Sequence, residues 1–225
     1  MVTGIVFTGG EGPEPHAIKG LLDGEALIVA ADSGLALAEA AGIRPDWIVG
    51  DMDSLDNGSR LNRYPKEKII LYPVDKDYTD TEIALSLLWE KGCNDAWIIG
   101  GGGGRLDHIF GIRDLFERER YPLRWITANE DIYCVDNEGA NSGANSGANN
   151  NRLRLAAKQG KLVSVFPLCN GPWKALSKGL KWELDGARWE RGLFGLSNVA
   201  TADEIEINVK QGRFMVIMEE ECQRL

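Results

Sequence analysis

What most constrains this chain is a rhythm in its first half, where short apolar runs alternate with stretches of helical period. The runs begin with Gly4 to Phe7, followed by Pro15 to Leu22, Ala26 to Ala31, Gly34 to Ala41 and Asp46 to Val49. This is the pattern of βαβ units, a parallel sheet with helices on its faces. It continues through Lys68 to Tyr72, a helix from about Asp80 to Lys91 opened by Thr79, Ala96 to Ile99, a helix from about Leu106 to Arg118, and Trp125 to Thr127.

After Asp131 the segments become β-like: Ile132 to Val135, Lys161 to Phe166, Gly179 to Leu184, Glu204 to Val209 and Phe214 to Met218. Gly171-Pro172, Asp185-Gly186 and Gln211-Gly212 punctuate them, as turns do in an antiparallel sandwich or small barrel. The expected organisation is therefore an α/β domain over 1–129 with a parallel sheet, then a smaller antiparallel β domain over 130–225. Within the latter, Gly-Ala-Asn recurs three times between Gly139 and Asn149. A segment so poor in bulky apolar groups cannot offset its ordering entropy, and a flexible loop is expected over 139–151.

The formal net charge of −9 argues against a nucleic-acid partner, because phosphate backbones are held by basic surfaces. An acidic protein can still take a polyphosphate if divalent cations bridge the two, which calls for clustered carboxylates. No apolar run reaches the roughly 18 residues of a membrane span, and Met1 to Gly10 lacks the features of a signal peptide, so a cytoplasmic protein without membrane partners is expected. The four cysteines are widely spaced with no C-x-x-C pair, as suits buried thiols rather than zinc ligands or a redox motif.

Polar groups stand directly after several of the apolar runs, where parallel sheets bind ligands. Asp32-Ser33-Gly34 follows Leu27 to Ala31 and, taken singly, is only a helix cap. Gly50-Asp51-Met52-Asp53-Ser54 follows Trp47 to Val49; two carboxylates at alternate positions can share a hard cation, although an acidic turn explains one such pair equally well. Asp75-Lys76-Asp77-Tyr78-Thr79-Asp80-Thr81-Glu82 follows Ile69 to Leu71. Thr79 with Glu82 is a capping box, but four acids at one strand end repel one another unless a metal ion or a lysine offsets them. Gly100 to Gly104 with Arg105-Leu106-Asp107-His108 follows Trp97 to Ile99, offering close backbone approach, a helix N-terminus and a forked donor to phosphate. Its register is neither G-x-G-x-x-G nor a P-loop, and no Ser/His/Asp or Cys/His arrangement accompanies the chain's two histidines.

These blocks, followed in order by Ser164 to Leu168, Gly179-Leu180-Lys181-Trp182 and Leu196-Ser197-Asn198, resemble the thiamine pyrophosphokinase family along nearly the whole chain. The resemblance implies a Mg²⁺-dependent transfer of pyrophosphate from ATP to the hydroxyl of thiamine, giving thiamine diphosphate and AMP. It implies an N-terminal nucleotide domain and a C-terminal thiamine domain, in a homodimer with sites between subunits. By the same resemblance Asp51, Asp53 and Asp80 hold the metal, and Arg105 and Asp107 join them in catalysis. Asp32, Ser33, Gly34, Asp77, Thr79, Gly104, Arg105 and His108 surround the nucleotide, while Ser197 and Asn198 hold thiamine. Either Asp80 or Asp107 could take the hydroxyl proton. The rival readings are a pyrophosphokinase acting on a hydroxymethylpterin, a D-x-D glycosyltransferase, and a non-catalytic nucleotide or thiamine diphosphate sensor. The Gly179 to Trp182 and Ser197-Asn198 blocks speak against the pterin, and the intact set of acids against the sensor.

Overall fold

The computed structural model describes residues 2–22, 24–52, 60–137 and 151–219. Asp53 and all but the last residue of the expected loop at 139–151 lie outside them. The chain forms two compact units, Met1–Leu115 with Trp125–Asn129, and Phe116–Arg124 with Glu130–Leu225.

The first unit carries β1 (Thr3–Phe7), α1 (Pro15–Leu21), β2 (Ala26–Ala31), α2 (Gly34–Ala40), β3 (Trp47–Gly50), β4 (Ile69–Leu71), α3 (Asp80–Glu90), β5 (Asp95–Ile99), α4 (Leu106–Leu115) and β6 (Arg124–Ile126). Strand order is β6-β5-β1-β2-β3-β4, and β1 pairs in parallel with both β2 and β5. Ile5, Val6 and Phe7 on the central strand are fully buried, which is why that run has no polar alternation. Helix α3 starts at a complete capping box between Thr79 and Glu82 and turns Ala84, Leu85 and Leu88 to the core. A side chain on Gly4 would run into Leu88, so the bare backbone of β1 sets how closely α3 can lie. From β1 the chain builds outward through β2, β3 and β4, then returns to β5 on the other side of β1. Order reverses there, and a crevice at the carboxyl ends of the strands follows from that topology.

The second unit is an antiparallel sandwich. It carries β7 (Glu130–Asp136), β8 (Arg152–Ala156), β9 (Leu162–Leu168), β10 (Lys174–Lys178), β11 (Gly195–Val199), β12 (Glu204–Gln211) and β13 (Arg213–Glu219). Strands β11-β9-β13-β7 form one sheet and β10-β12-β8 the other. Val163, Val165, Phe214 and Val216 of the first meet Leu155, Ile205, Ile207 and Val209 of the second in one buried cluster. On β12 the inward residues alternate with Glu206, which pairs outside with Arg152 and Arg154.

One expected strand is displaced. Gly179 to Leu184 is not a strand; the strand is β10, ending at Lys178, and Gly179 takes a left-handed φ of 86°. The Glu183 carboxylate then accepts from the Gly179 and Leu180 N–H groups at 3.0 and 3.3 Å and from the Ser177 hydroxyl, curling the segment into a turn. The helix expected to reach Arg118 ends at Leu115. No helix among the described residues is long and apolar enough to cross a membrane.

Candidate active site

In the first unit a cleft of about 670 Å³ opens at the carboxyl ends of the strands, lined by residues following β1, β2, β4 and β5. Its floor is built by close backbone approaches. A Cβ on Gly34 would overlap the Phe7 carbonyl, so only glycine lets α2 start against the end of β1. That places Asp32 in a tight bend with φ 45°, its N–H bonded to Val49 O at 2.9 Å. A Cβ on Gly50 would stand 3.2 Å from both the Asp32 Cβ and Asp80 Oδ1, and glycine there lets the two acids close over the end of β3.

Three carboxylates meet as a result: Asp32, Asp51 and Asp80 each offer an oxygen, all within 4.8 Å of one another. Lys76 joins them, its Nζ 2.7 Å from Asp51 Oδ2 and 3.3 Å from Asp80 Oδ1. Among the described residues the buried Oδ1 of Asp32 has no hydrogen-bond partner, and the buried Oδ1 of Asp80 has the Lys76 ammonium 3.3 Å away. Burial pushes the Asp80 carboxyl above its ordinary range; the Lys76 charge pulls it down, and Asp51 and Asp32 add to the rise. For Lys76, burial works against the charge, but the bonds and charges of Asp51 and Asp80 outweigh it and hold the ammonium above its usual value. An all-oxygen donor set that includes a buried, unbonded carboxylate oxygen suits a hard divalent cation.

The glycine segment forms the opposite wall and is tied down rather than loose. Gly100 O accepts from Trp125 Nε1 at 2.7 Å, Gly101 N–H donates to Gly9 O at 3.0 Å, and Gly102 exchanges two backbone bonds with Glu11. Gly103 and Gly104 have φ of 62° and 66°, conformations open to glycine at little cost. They lead to Arg105, Asp107 and His108 at the start of α4. Arg105 grips Asp107 through two nitrogens at 3.2 and 2.6 Å, and both side chains are exposed. The guanidinium bond holds the Asp107 carboxyl below its ordinary range.

Asp32, Ser33, Asp77, Thr79, Asp80, Gly104, Arg105 and His108 all line the cleft; Asp51 reaches the same place through the carboxylate cluster. Asp53 lies outside the described residues. Thr79 spends its hydroxyl on the Glu82 N–H of the helix cap, at 3.3 Å. Sequence reasoning did not single out the segment after β1, Thr8 to Glu11, or the inward position of Lys76. Gly9-Gly10 directly after the first apolar run is the same signal as the other strand-end blocks. Thr8 also bonds Thr81 at 2.7 Å between buried hydroxyls, tying the end of β1 to the first turn of α3.

The second unit has its own pocket, about 550 Å³, lined by Trp182, Trp189, Leu193, Phe194 and Asn198 among others. Trp189 Nε1 is buried without a partner among the described residues. Asn198 is 4% exposed, and its amide is engaged with the backbone. Oδ1 accepts from the N–H groups of Trp182 and Val199 at 3.1 and 2.9 Å, and Nδ2 donates to Trp182 O at 2.7 Å. Ser197 adopts φ 54°, and its N–H donates to the Ser164 hydroxyl oxygen at 3.1 Å.

Comparison with known proteins gives a consistent assignment. Residues 18–121 match the family described as thiamin pyrophosphokinase, catalytic domain, and residues 150–214 match thiamin pyrophosphokinase, vitamin B1 binding domain. The chain is similar to the thiamine pyrophosphokinase of Bacillus subtilis, 35% identical over 96 residues, which are 42% of this chain and less than half, 44%, of that curated relative. Among solved structures, that of thiamine pyrophosphokinase from Bacillus subtilis aligns with TM-score 0.77 at 22% identity, covering 98% of this chain and 100% of that one. Thiamin pyrophosphokinase from Candida albicans aligns at 0.70 with 18% identity, over 98% of this chain and 89% of that one. At these identities the structures establish the fold.

Proposed function

The chain belongs to the thiamin pyrophosphokinase family, and from that premise we propose that it transfers a pyrophosphoryl group from ATP to the hydroxyl of thiamine in a Mg²⁺-dependent reaction. The hydroxyl oxygen bonds to the β-phosphorus, the bond from that phosphorus to the α–β bridging oxygen breaks, and AMP leaves with the bridging oxygen. The products are AMP, thiamine diphosphate and the hydroxyl proton. The observation that carries this reading is the meeting of Asp32, Asp51 and Asp80 on the floor of the cleft, opposite the glycine wall and Arg105.

Asp32, Asp51 and Asp80 would hold Mg²⁺, with Asp53 a further candidate from its place in the sequence. Bound there, the ion would neutralise charge on the polyphosphate, the main demand of phosphoryl transfer. The protein's own groups do the rest. Gly103 and Gly104 let the backbone approach the phosphates closely at the start of α4, and Arg105 presents a guanidinium already oriented by Asp107. The pocket of the second unit, with two indoles and Phe194, fits a flat cationic ring system such as thiamine, which aromatic faces attract. Asn198 holds Trp182 in place there and acts as a positioning residue. A homodimer in the cytoplasm is the setting this reading implies.

The test is incubation with ATP, Mg²⁺ and thiamine, with all nucleotide products resolved. AMP and thiamine diphosphate in equal amounts are expected; ADP in place of AMP would rule out pyrophosphoryl transfer. Asp32→Asn, which preserves shape and tolerates the same left-handed φ, should lower kcat by about a hundredfold or more, the usual cost of one preorganised charge contact.

A further inference from the structure

Lys76 stands where a cation would have to sit. Its neighbours Asp75 and Asp77 point to solvent, while Lys76 turns inward with a side chain only 11% exposed. Its Nζ contacts Asp51 Oδ2 at 2.7 Å, Asp80 Oδ1 at 3.3 Å and the Pro73 carbonyl at 3.3 Å. The first two are carboxylates of the acid triad. An ammonium and a divalent ion cannot both occupy them, since either would bring two positive centres into contact in a half-buried site. Without a positive charge the three carboxylates would repel one another.

We propose that Lys76 is the resident counter-ion of the acid triad and that a divalent cation binds by displacing its ammonium from Asp51 and Asp80. The inference rests on the reading of the triad as a metal site and adds a competitor to it. Lys76 lines the cleft, so an ammonium released from the triad remains at the phosphate-binding face. The same side chain then serves twice, holding the empty triad together and later facing the polyphosphate that arrives with the metal.

The experiment is a nucleotide-free titration with Mn²⁺, read by the electron paramagnetic resonance of the free ion, on wild type, Lys76→Met and Lys76→Arg. Lys76→Met should bind Mn²⁺ about tenfold more tightly than wild type, the scale of removing one like charge from a half-buried site, whereas Lys76→Arg should remain near wild type. In EDTA Lys76→Met should melt below wild type, and saturating Mn²⁺ should close the gap. Wild type binding Mn²⁺ while Lys76→Met binds equally or more weakly would overturn the displacement and leave the metal site standing. If neither protein binds Mn²⁺, the metal reading falls and this inference with it; binding by the variant alone supports both. Should Lys76→Met not fold, the Cε resonance of Lys76 in the wild-type protein reads the same exchange. Movement on addition of Mg²⁺ is expected, and a resonance unmoved while Mg²⁺ binds would refute the displacement.

Discussion

Asn198→Ala separates two roles that the sequence alone could not. If Asn198 met thiamine directly, truncation would weaken thiamine binding and leave the ligand-free protein as stable as before. The geometry predicts otherwise, because the amide makes three hydrogen bonds to backbone, two of them to Trp182, and is 4% exposed. Each such bond contributes about 1 kcal/mol net, and a backbone group left unpaired costs about 1–3 kcal/mol. Trp182 is itself 56% exposed, so water can reach part of what is lost. A destabilisation of about 2 kcal/mol follows, the middle of that range, which corresponds to a fall in melting temperature of about 4–8 °C for a chain of this size. Calorimetric melting without ligand measures this, and titration with thiamine should show weakened binding beside unchanged affinity for a non-hydrolysable ATP analogue. An unchanged ligand-free melting temperature with lost thiamine affinity would refute the positioning role and return Asn198 to direct contact.

Gly34→Ala should destabilise the first unit by about 3 kcal/mol, the upper part of the range for overpacking, because the added methyl meets strand backbone that cannot move aside. Thermal melting measures the loss, and weaker Mn²⁺ binding should accompany it as Asp32 is pushed off the triad. Asp95 offers a pH test: burial raises its carboxyl pKa in the folded protein, so ionising it costs stability as pH climbs from the unfolded value through the folded one. Asp95→Asn should therefore melt higher than wild type at about pH 7 and level with it near pH 3, below both values, where wild-type Asp95 is protonated in either state.

The α/β half was readable because its signals are local and redundant. A buried parallel strand is a short apolar run whatever lies beside it, and the caps and glycines that end each run appear in the same few residues. The β half was harder. β8 is Arg-Leu-Arg-Leu-Ala, whose apolar positions reach the sandwich only every second residue, and it starts directly after a segment without bulky apolar residues. β11 carries Ser197 and Asn198 and reads as a turn, yet it pairs with β9 through an irregular register that accommodates the left-handed Ser197. The displaced strand at Gly179 to Leu184 shows the limit most clearly. Its apolar residues Leu180 and Leu184 do enter the core, but Glu183 collects the local backbone donors that a ladder would have used.

At the site, sequence located the right strand ends and could not resolve what meets there. Asp51 and Asp53 stand at alternate positions in the sequence, and that spacing marks them as a pair. Asp32 reaches Asp51 and Asp80 because Gly34 lets α2 start against β1 and Gly50 clears the space between them, two close approaches with no signature in the spacing of the acids. Lys76 is the same kind of case. From sequence it is one base among acids at a strand end, where a lysine or a metal could relieve the repulsion. The inward turn between exposed Asp75 and Asp77, followed by the capped start of α3, sets its ammonium against the carboxylates. The relief therefore falls on the same oxygens a metal would use, and lysine and metal become competitors because the strand ends converge.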